Sequence, residues 1–172
     1  MTKIINICIL IAVFFAFSCN RDSTTSAENK DLKKAYDFSL PKLDNSDTVK
    51  LSDYKNKPVI INFWSSWCAP CREEMPFLQK TWSEQKDNGL IFIGIDVLDD
   101  SSTAKEFLDS FNIDYLNLSD SNGKVSNQFG VIALPATFFI DKNGNIVRQN
   151  YGPFLGDSGE KLFKKYLEEI LN

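Results

Sequence analysis

Cys68 and Cys71 stand three residues apart in the run Trp67-Cys68-Ala69-Pro70-Cys71, and no other pair of side chains in the chain is so placed for chemistry. At the start of a helix, two thiols at this spacing can close into a disulfide without unwinding it. The first thiol lies beyond the helix and the second inside it, so the two sulfurs are unequal. Backbone N–H groups at the helix N-terminus stabilise a thiolate on Cys68, drawing its pKa below the ~8.5 of a free cysteine. Cys68 is therefore the expected nucleophile: it attacks a substrate disulfide, and the resulting mixed disulfide is released when Cys71 attacks Cys68. Pro70 presets the first helical turn, and Trp67 offers an apolar platform beside the sulfur. Zinc is the rival use of paired thiols, but it wants four ligands, and a chain with 0 His and no second CxxC could offer only carboxylates. No metal and no organic cofactor is expected.

The pair must be held where a strand ends and a helix begins. Pro58–Trp64 (PVIINFW) and Leu90–Val97 (LIFIGIDV) are short, nearly unbroken apolar runs rich in β-branched residues, as in strands covered on both faces. Between them, Pro70–Lys86 predicts a helix with Met75, Phe77, Leu78 and Trp82 inward and Glu73 and Glu74 in its first turn, where the helix dipole favours anions. Strand, helix and strand make a right-handed βαβ unit. Pro76 lies inside that helix and removes one backbone bond.

Upstream, apolar residues from Phe38 to Leu51 around a turn at Asp44–Asp47 predict a short hairpin laid against the domain. Downstream, Ser102 or Thr103 is the expected cap of a second helix with Phe107, Leu108 and Phe111 inward. A short strand follows at Tyr115–Leu118. Then Ala136–Asp141 and Ile146–Tyr151 flank Asn143-Gly144, a strong hairpin signal, and Asp157–Leu171 is an amphipathic final helix. The pattern is α/β, one domain over residues 36–172 with a mixed sheet and helices on both faces.

Composition narrows the function. The absence of His removes Ser/His and Cys/His catalysis, and 19 Lys and Arg against 23 Asp and Glu give a net charge of −4, a poor match to nucleic acid. At the N-terminus, Lys3 precedes an apolar run from Ile4 to Phe17, shorter than the roughly 20 residues that cross a bilayer. Residues 1–18 read as a signal peptide that takes Cys8 with it, and residues 19–35 as a polar tether. The junction Ala16-Phe17-Ser18-Cys19 is similar to a bacterial lipoprotein signal, which implies acylation of Cys19. Ala16 and Ser18 also satisfy the small-x-small rule of ordinary signal peptidase.

Two separated stretches carry a family resemblance. LSDYKNKPVIINFWSSWCAPCREEMP and GVIALPATFFIDKNGNIV resemble the thioredoxin fold, and within it the TlpA/ResA-like family of exported, membrane-tethered thiol-disulfide oxidoreductases. The resemblance implies a cis bond at Leu134-Pro135 beside the CxxC, where the backbone of Leu134 pairs with an extended substrate. It also implies a proton-handling role for Glu74, because Asn62 stands where cytoplasmic thioredoxins carry a buried Asp. The position after the proline, often Thr in the family, is Ala136. The implied function is protein-disulfide reduction in the bacterial cell envelope, on the periplasmic side. Its partners are cysteine-bearing proteins, apocytochrome c among them, and a membrane thiol carrier that supplies electrons. Two rivals stay open. A peroxiredoxin-type peroxidase wants Pro and Thr where Ile61 and Ser65 stand, and a tethered binding module would use the pair as an inert staple.

Overall fold

Nearly unbroken apolar strands form the sheet that carries the two thiols. The structure is a computed structural model describing residues 32–44 and 46–172. The expectations for the signal peptide, for Cys8 and Cys19 and for most of the tether therefore lie outside the described residues. Strand β3 (Val59–Trp64) is buried at every position, as its composition requires, and lies at the centre of five strands. The order is β5 (Leu116–Asp120), β4 (Ile91–Val97), β3, β6 (Ala136–Ile140), β7 (Ile146–Tyr151). The three strands β3, β4 and β5 run parallel, whereas β6 and β7 are antiparallel additions. The expected mixed sheet is thus present.

Side chains alternate along β3 and divide the core in two. Ile60 and Trp64 face α1 (Ala69–Gln85), α2 (Ser101–Ser110) and α4 (Gly156–Leu171), with Met75, Phe107 and Phe163 among the residues that meet them. Ile61 and Phe63 face α3 (Lys124–Phe129) and the N-terminal hairpin of β1 (Ser39–Pro41) and β2 (Thr48–Lys50). The hairpin pairs Leu40 with Val49, both buried, and is joined to the sheet where the Leu43 N–H donates to the Asn117 carbonyl at 3.2 Å.

Four details differ from the sequence reading. Helix α2 is capped by Asp100, whose carboxylate accepts from the N–H groups of Ser102 and Thr103, so neither expected residue is the cap. The helix starts earlier, and a carboxylate meets two free N–H groups at once. Helix α3 has no counterpart in the expectations, because six residues between two left-handed glycines, Gly123 and Gly130, are too few to show a helical period. Strand β5 reaches Asp120 rather than ending at Leu118. Helix α1 begins directly after Cys68, which moves Glu73 and Glu74 out of the first turn, and it continues through Pro76 to Gln85.

Candidate active site

Strand β3 ends at Trp64, and a tight turn delivers the chain to Cys68, the N-cap of α1. Three bonds fix this turn. The Ser65 hydroxyl donates to the Val97 carbonyl at 2.6 Å, the Ser66 N–H donates to Asp99 Oδ2 at 2.7 Å, and the Cys68 N–H donates to the Ser65 carbonyl at 3.1 Å. Cys68 Sγ accepts from the Cys71 N–H at 3.2 Å, which places that sulfur on the positive end of the helix. The two cysteines are joined as a disulfide with Cα atoms 5.3 Å apart. Cys71 is fully buried; Cys68 is only 5% exposed, but it alone of the two borders an open cleft of about 560 Å³.

Trp67, Leu98, Ile132 and Leu134 line that cleft. Trp67 is 63% exposed, Leu98 60% and Ile132 85%, an apolar rim standing in water beside the sulfur. The Leu134-Pro135 peptide is cis and leads into β6, so the two separated motifs meet at one end of the sheet. Trp67, Cys68 and Leu134 share the cleft.

Glu74 lies one helical turn after Cys71 on the same face of α1, and it is fully buried rather than solvated. Its carboxylate accepts from Asn62 Nδ2 at 2.9 Å and from the Phe154 N–H at 3.0 Å. Burial raises its pKa to about 7, against the downward pull of those two bonds. Glu73 faces solvent.

One group at this end of the sheet was given no role by sequence reasoning. Asp96 in β4 is fully buried, and among the described residues no N–H or O–H group reaches either of its oxygens. Burial first, and the neighbouring Asp99 charge second, raise its pKa to about 8. The available signal was its place inside an otherwise apolar strand, where a carboxyl must be buried. No group of three or more metal-ligating side chains gathers among the described residues.

Residues 32–149 match the model of the AhpC/TSA family. The thiol-disulfide oxidoreductase ResA of Bacillus thuringiensis subsp. konkukian is 30% identical over 138 residues, which span 80% of this chain and 77% of the relative. The chain belongs to the AhpC/TSA family, among its ResA-like thiol-disulfide oxidoreductases. ResA of Oceanobacillus iheyensis is similar at 31% identity over 148 residues, covering 80% of this chain and 73% of that one. Among solved structures, a putative thiol:disulfide interchange protein DsbE from Chlorobium tepidum matches with a TM-score of 0.75 at 27% identity, covering 82% of this chain and 97% of the other. The architecture of this ResA-like chain is the thioredoxin fold with an N-terminal hairpin, and its activity is thiol-disulfide exchange.

Proposed function

We propose that Cys68 and Cys71 are the exchanging pair of a protein-disulfide reductase of the bacterial cell envelope. The observation that carries this reading is the asymmetry of the two sulfurs: Cys68 caps α1 at the edge of the cleft, and Cys71 is buried behind it. In the reduced protein the Cys68 thiolate attacks one sulfur of a substrate disulfide, and the other substrate sulfur leaves as a thiolate. Cys71 gives its proton to Glu74 and attacks Cys68 Sγ. The second substrate thiol departs, the Cys68–Cys71 disulfide forms, and two electrons have passed to the substrate.

Each remaining residue has a part in this scheme. Trp67 and Leu134 line the cleft and receive an extended substrate segment beside Cys68, with Pro135 joined to Leu134 by the cis bond, and the apolar rim favours a cysteine with apolar neighbours. Ile61 is packed in the core and the Ser65 hydroxyl is committed to the Val97 carbonyl, so neither serves a peroxide at Cys68, which supports disulfide exchange over peroxidase chemistry.

Reduction in an oxidising compartment needs an electron supply, and a membrane thiol carrier is the donor of the right chemistry. Among the described residues no helix is long and apolar enough to cross a membrane, and an acylated Cys19 would supply the anchor. Apocytochrome c cysteines are one substrate of the required kind. Equilibrating the pair against glutathione or dithiothreitol tests the direction. A midpoint near the thioredoxin end, about −270 mV, is expected, and one near −120 mV would make the protein an oxidant. Cys19→Ser is expected to release mature protein from membranes.

A further inference from the structure

A second cavity, also of about 560 Å³, opens at the other end of β3 from the thiols. Val59, the first residue of β3, lines it, whereas Cys68 follows the last, so the strand puts roughly 20 Å between cavity and cleft. Three segments meet there, and each brings lysine. Lys34 belongs to the stretch that joins the sheet beside β7, where the Ile146 N–H donates to the Lys33 carbonyl at 2.8 Å and the Ala35 N–H to the Gly144 carbonyl at 3.0 Å. Lys55 and Lys57 flank Asn56, whose φ of +64° turns the chain toward β3, and the Lys57 N–H closes that turn on the Tyr54 carbonyl at 3.2 Å. Lys142 enters the Asn143-Gly144 turn between β6 and β7. All four lysines are exposed, and the Lys34 ammonium donates to the Asn143 carbonyl, which fixes one cation at the rim.

Two acids share the lining, and backbone N–H groups occupy both. Asp37 accepts from Ser52 at 3.0 Å, and Asp141 from Asn143 and Asn145 at 2.9 and 2.8 Å. Neither acid forms an ion pair with a lysine among the described residues. This mouth is therefore positive on a chain whose net charge is −4. We infer that the lysine face docks on the anionic phospholipid headgroups of the membrane that holds the anchor, and so turns the Cys68 cleft away from the bilayer toward soluble proteins. The inference rests on the acylated Cys19 of the proposed function. Two observations favour lipid as the occupant. Lysines near an anionic leaflet are attracted to it, and the four here come from three separate segments onto one rim. The chain from Cys19 joins the sheet at Lys33, next to Lys34 on this same rim, after at most ~50 Å of extended backbone. The contacts orient an anchored domain rather than hold it, since physiological salt screens exposed charges beyond about 8 Å.

Protein recovered from membranes is reconstituted into vesicles of phosphatidylcholine, with or without phosphatidylglycerol. Each sample is treated at low salt with a water-soluble amine reagent, and every lysine is followed by mass spectrometry. With phosphatidylglycerol present, Lys55, Lys57 and Lys142 are expected to label about tenfold more slowly, the protection given by a population about nine-tenths docked. Lys105 on α2 and Lys124, beside the cleft-lining Gly123, should label equally in both. Salt near 1 M cuts the screening length to about 3 Å and should remove the protection. Lys55→Glu combined with Lys57→Glu should remove it at Lys142 while leaving exchange with dipyridyl disulfide at the wild-type rate. Should that variant not fold, the lipid comparison on the wild type decides alone. A chain that floats with both vesicles and labels equally in them overturns the inference and leaves the anchor standing. One that floats with neither overturns both, and one that floats only with the anionic vesicles supports docking and overturns the anchor. Protection by inorganic phosphate without anionic lipid would reassign the face to a free anion. Protection in native membranes but not in anionic vesicles would reassign it to a protein partner, and either result overturns lipid docking.

Discussion

Asn62 donates from Nδ2 to the Glu74 carboxylate at 2.9 Å, a bond between the strand that leads to Cys68 and the helix that contains Cys71. The same amide donates to the Thr137 hydroxyl at 3.1 Å, its register partner on β6. Glu74 is therefore held by β3 and by the Phe154 N–H ahead of α4, one helical turn after Cys71 and away from water. These two donors favour the charged carboxylate and burial favours the neutral one. Burial wins, leaving the group poised near pH 7. A base with that pKa can take a thiol proton and return it without a large barrier.

Glu74→Gln keeps the shape and removes the proton acceptor. The step in which Cys71 releases the mixed disulfide is expected to slow by about 10²-fold and to lose its inflection near pH 7. Single-turnover kinetics with a peptide disulfide across pH 5 to 9 provides the check. A release step with the wild-type pH profile would remove Glu74 from the mechanism.

Two buried acids also set how stability changes with pH. For each, the folded state binds more protons than the unfolded one, between 4.5 and about 7 for Glu74 and between 3.8 and about 8 for Asp96. Stability is therefore expected to fall as pH rises through these windows. For Glu74 the loss is at most about 3 kcal/mol. Denaturant unfolding at a series of pH values should show a shallower decline in Glu74→Gln and in Asp96→Asn, and the shallowest in the double variant. Parallel curves would contradict the raised pKa values.

The apolar rim predicts substrate preference. Placing a charge at Ile132 or Leu98, as in Ile132→Glu or Leu98→Glu, should lower the rate with insulin more than the rate with a small disulfide. The differential is expected to be about tenfold, corresponding to the ~1.4 kcal/mol of one lost apolar contact. Equal losses with both substrates would mean that the rim does not bind protein.

Gly94 in β4 predicts a packing limit behind the site. A Cβ there would lie 1.9 Å from Asn117 Oδ1 and 2.9 Å from Trp64 Nε1, atoms that bond to each other at 3.0 Å. Gly94→Ala is expected to destabilise the fold by about 2–4 kcal/mol, because Asn117 must move and the Trp64 indole loses its acceptor. Thermal unfolding measures this, and a loss below about 0.5 kcal/mol would show that the strand yields easily.

Much of this was legible in the sequence because the governing signals are local. The strand runs either side of Cys68, the Asn143-Gly144 turn and the stripe of Leu162, Phe163, Tyr166 and Leu167 each reveal one element from a few neighbouring residues. Helix α3 was not legible, since six residues give fewer than two turns of period. Asp100 was missed as a cap because Ser102 and Thr103 offered equally good capping chemistry next to it. Spacing along the helix placed Glu74 in the first turn and could not reveal what packs against it, so its proton-handling role was implied by the resemblance alone. Its partners Asn62 and Phe154 are 12 and 80 residues away. Asp96 was passed over for a similar reason: acids are common at strand ends, and only the packed structure shows that no donor meets this one.

The central claim, that Cys68 attacks and Cys71 resolves, is tested most directly by trapping. Reduced Cys71→Ser protein is mixed with a peptide disulfide, and the product is mapped by mass spectrometry. The expected result is a stable mixed disulfide on Cys68, with no comparable adduct on Cys71 in reduced Cys68→Ser. An adduct that forms on Cys71 when Cys68 is absent, together with none on Cys68 when Cys71 is absent, would contradict the account.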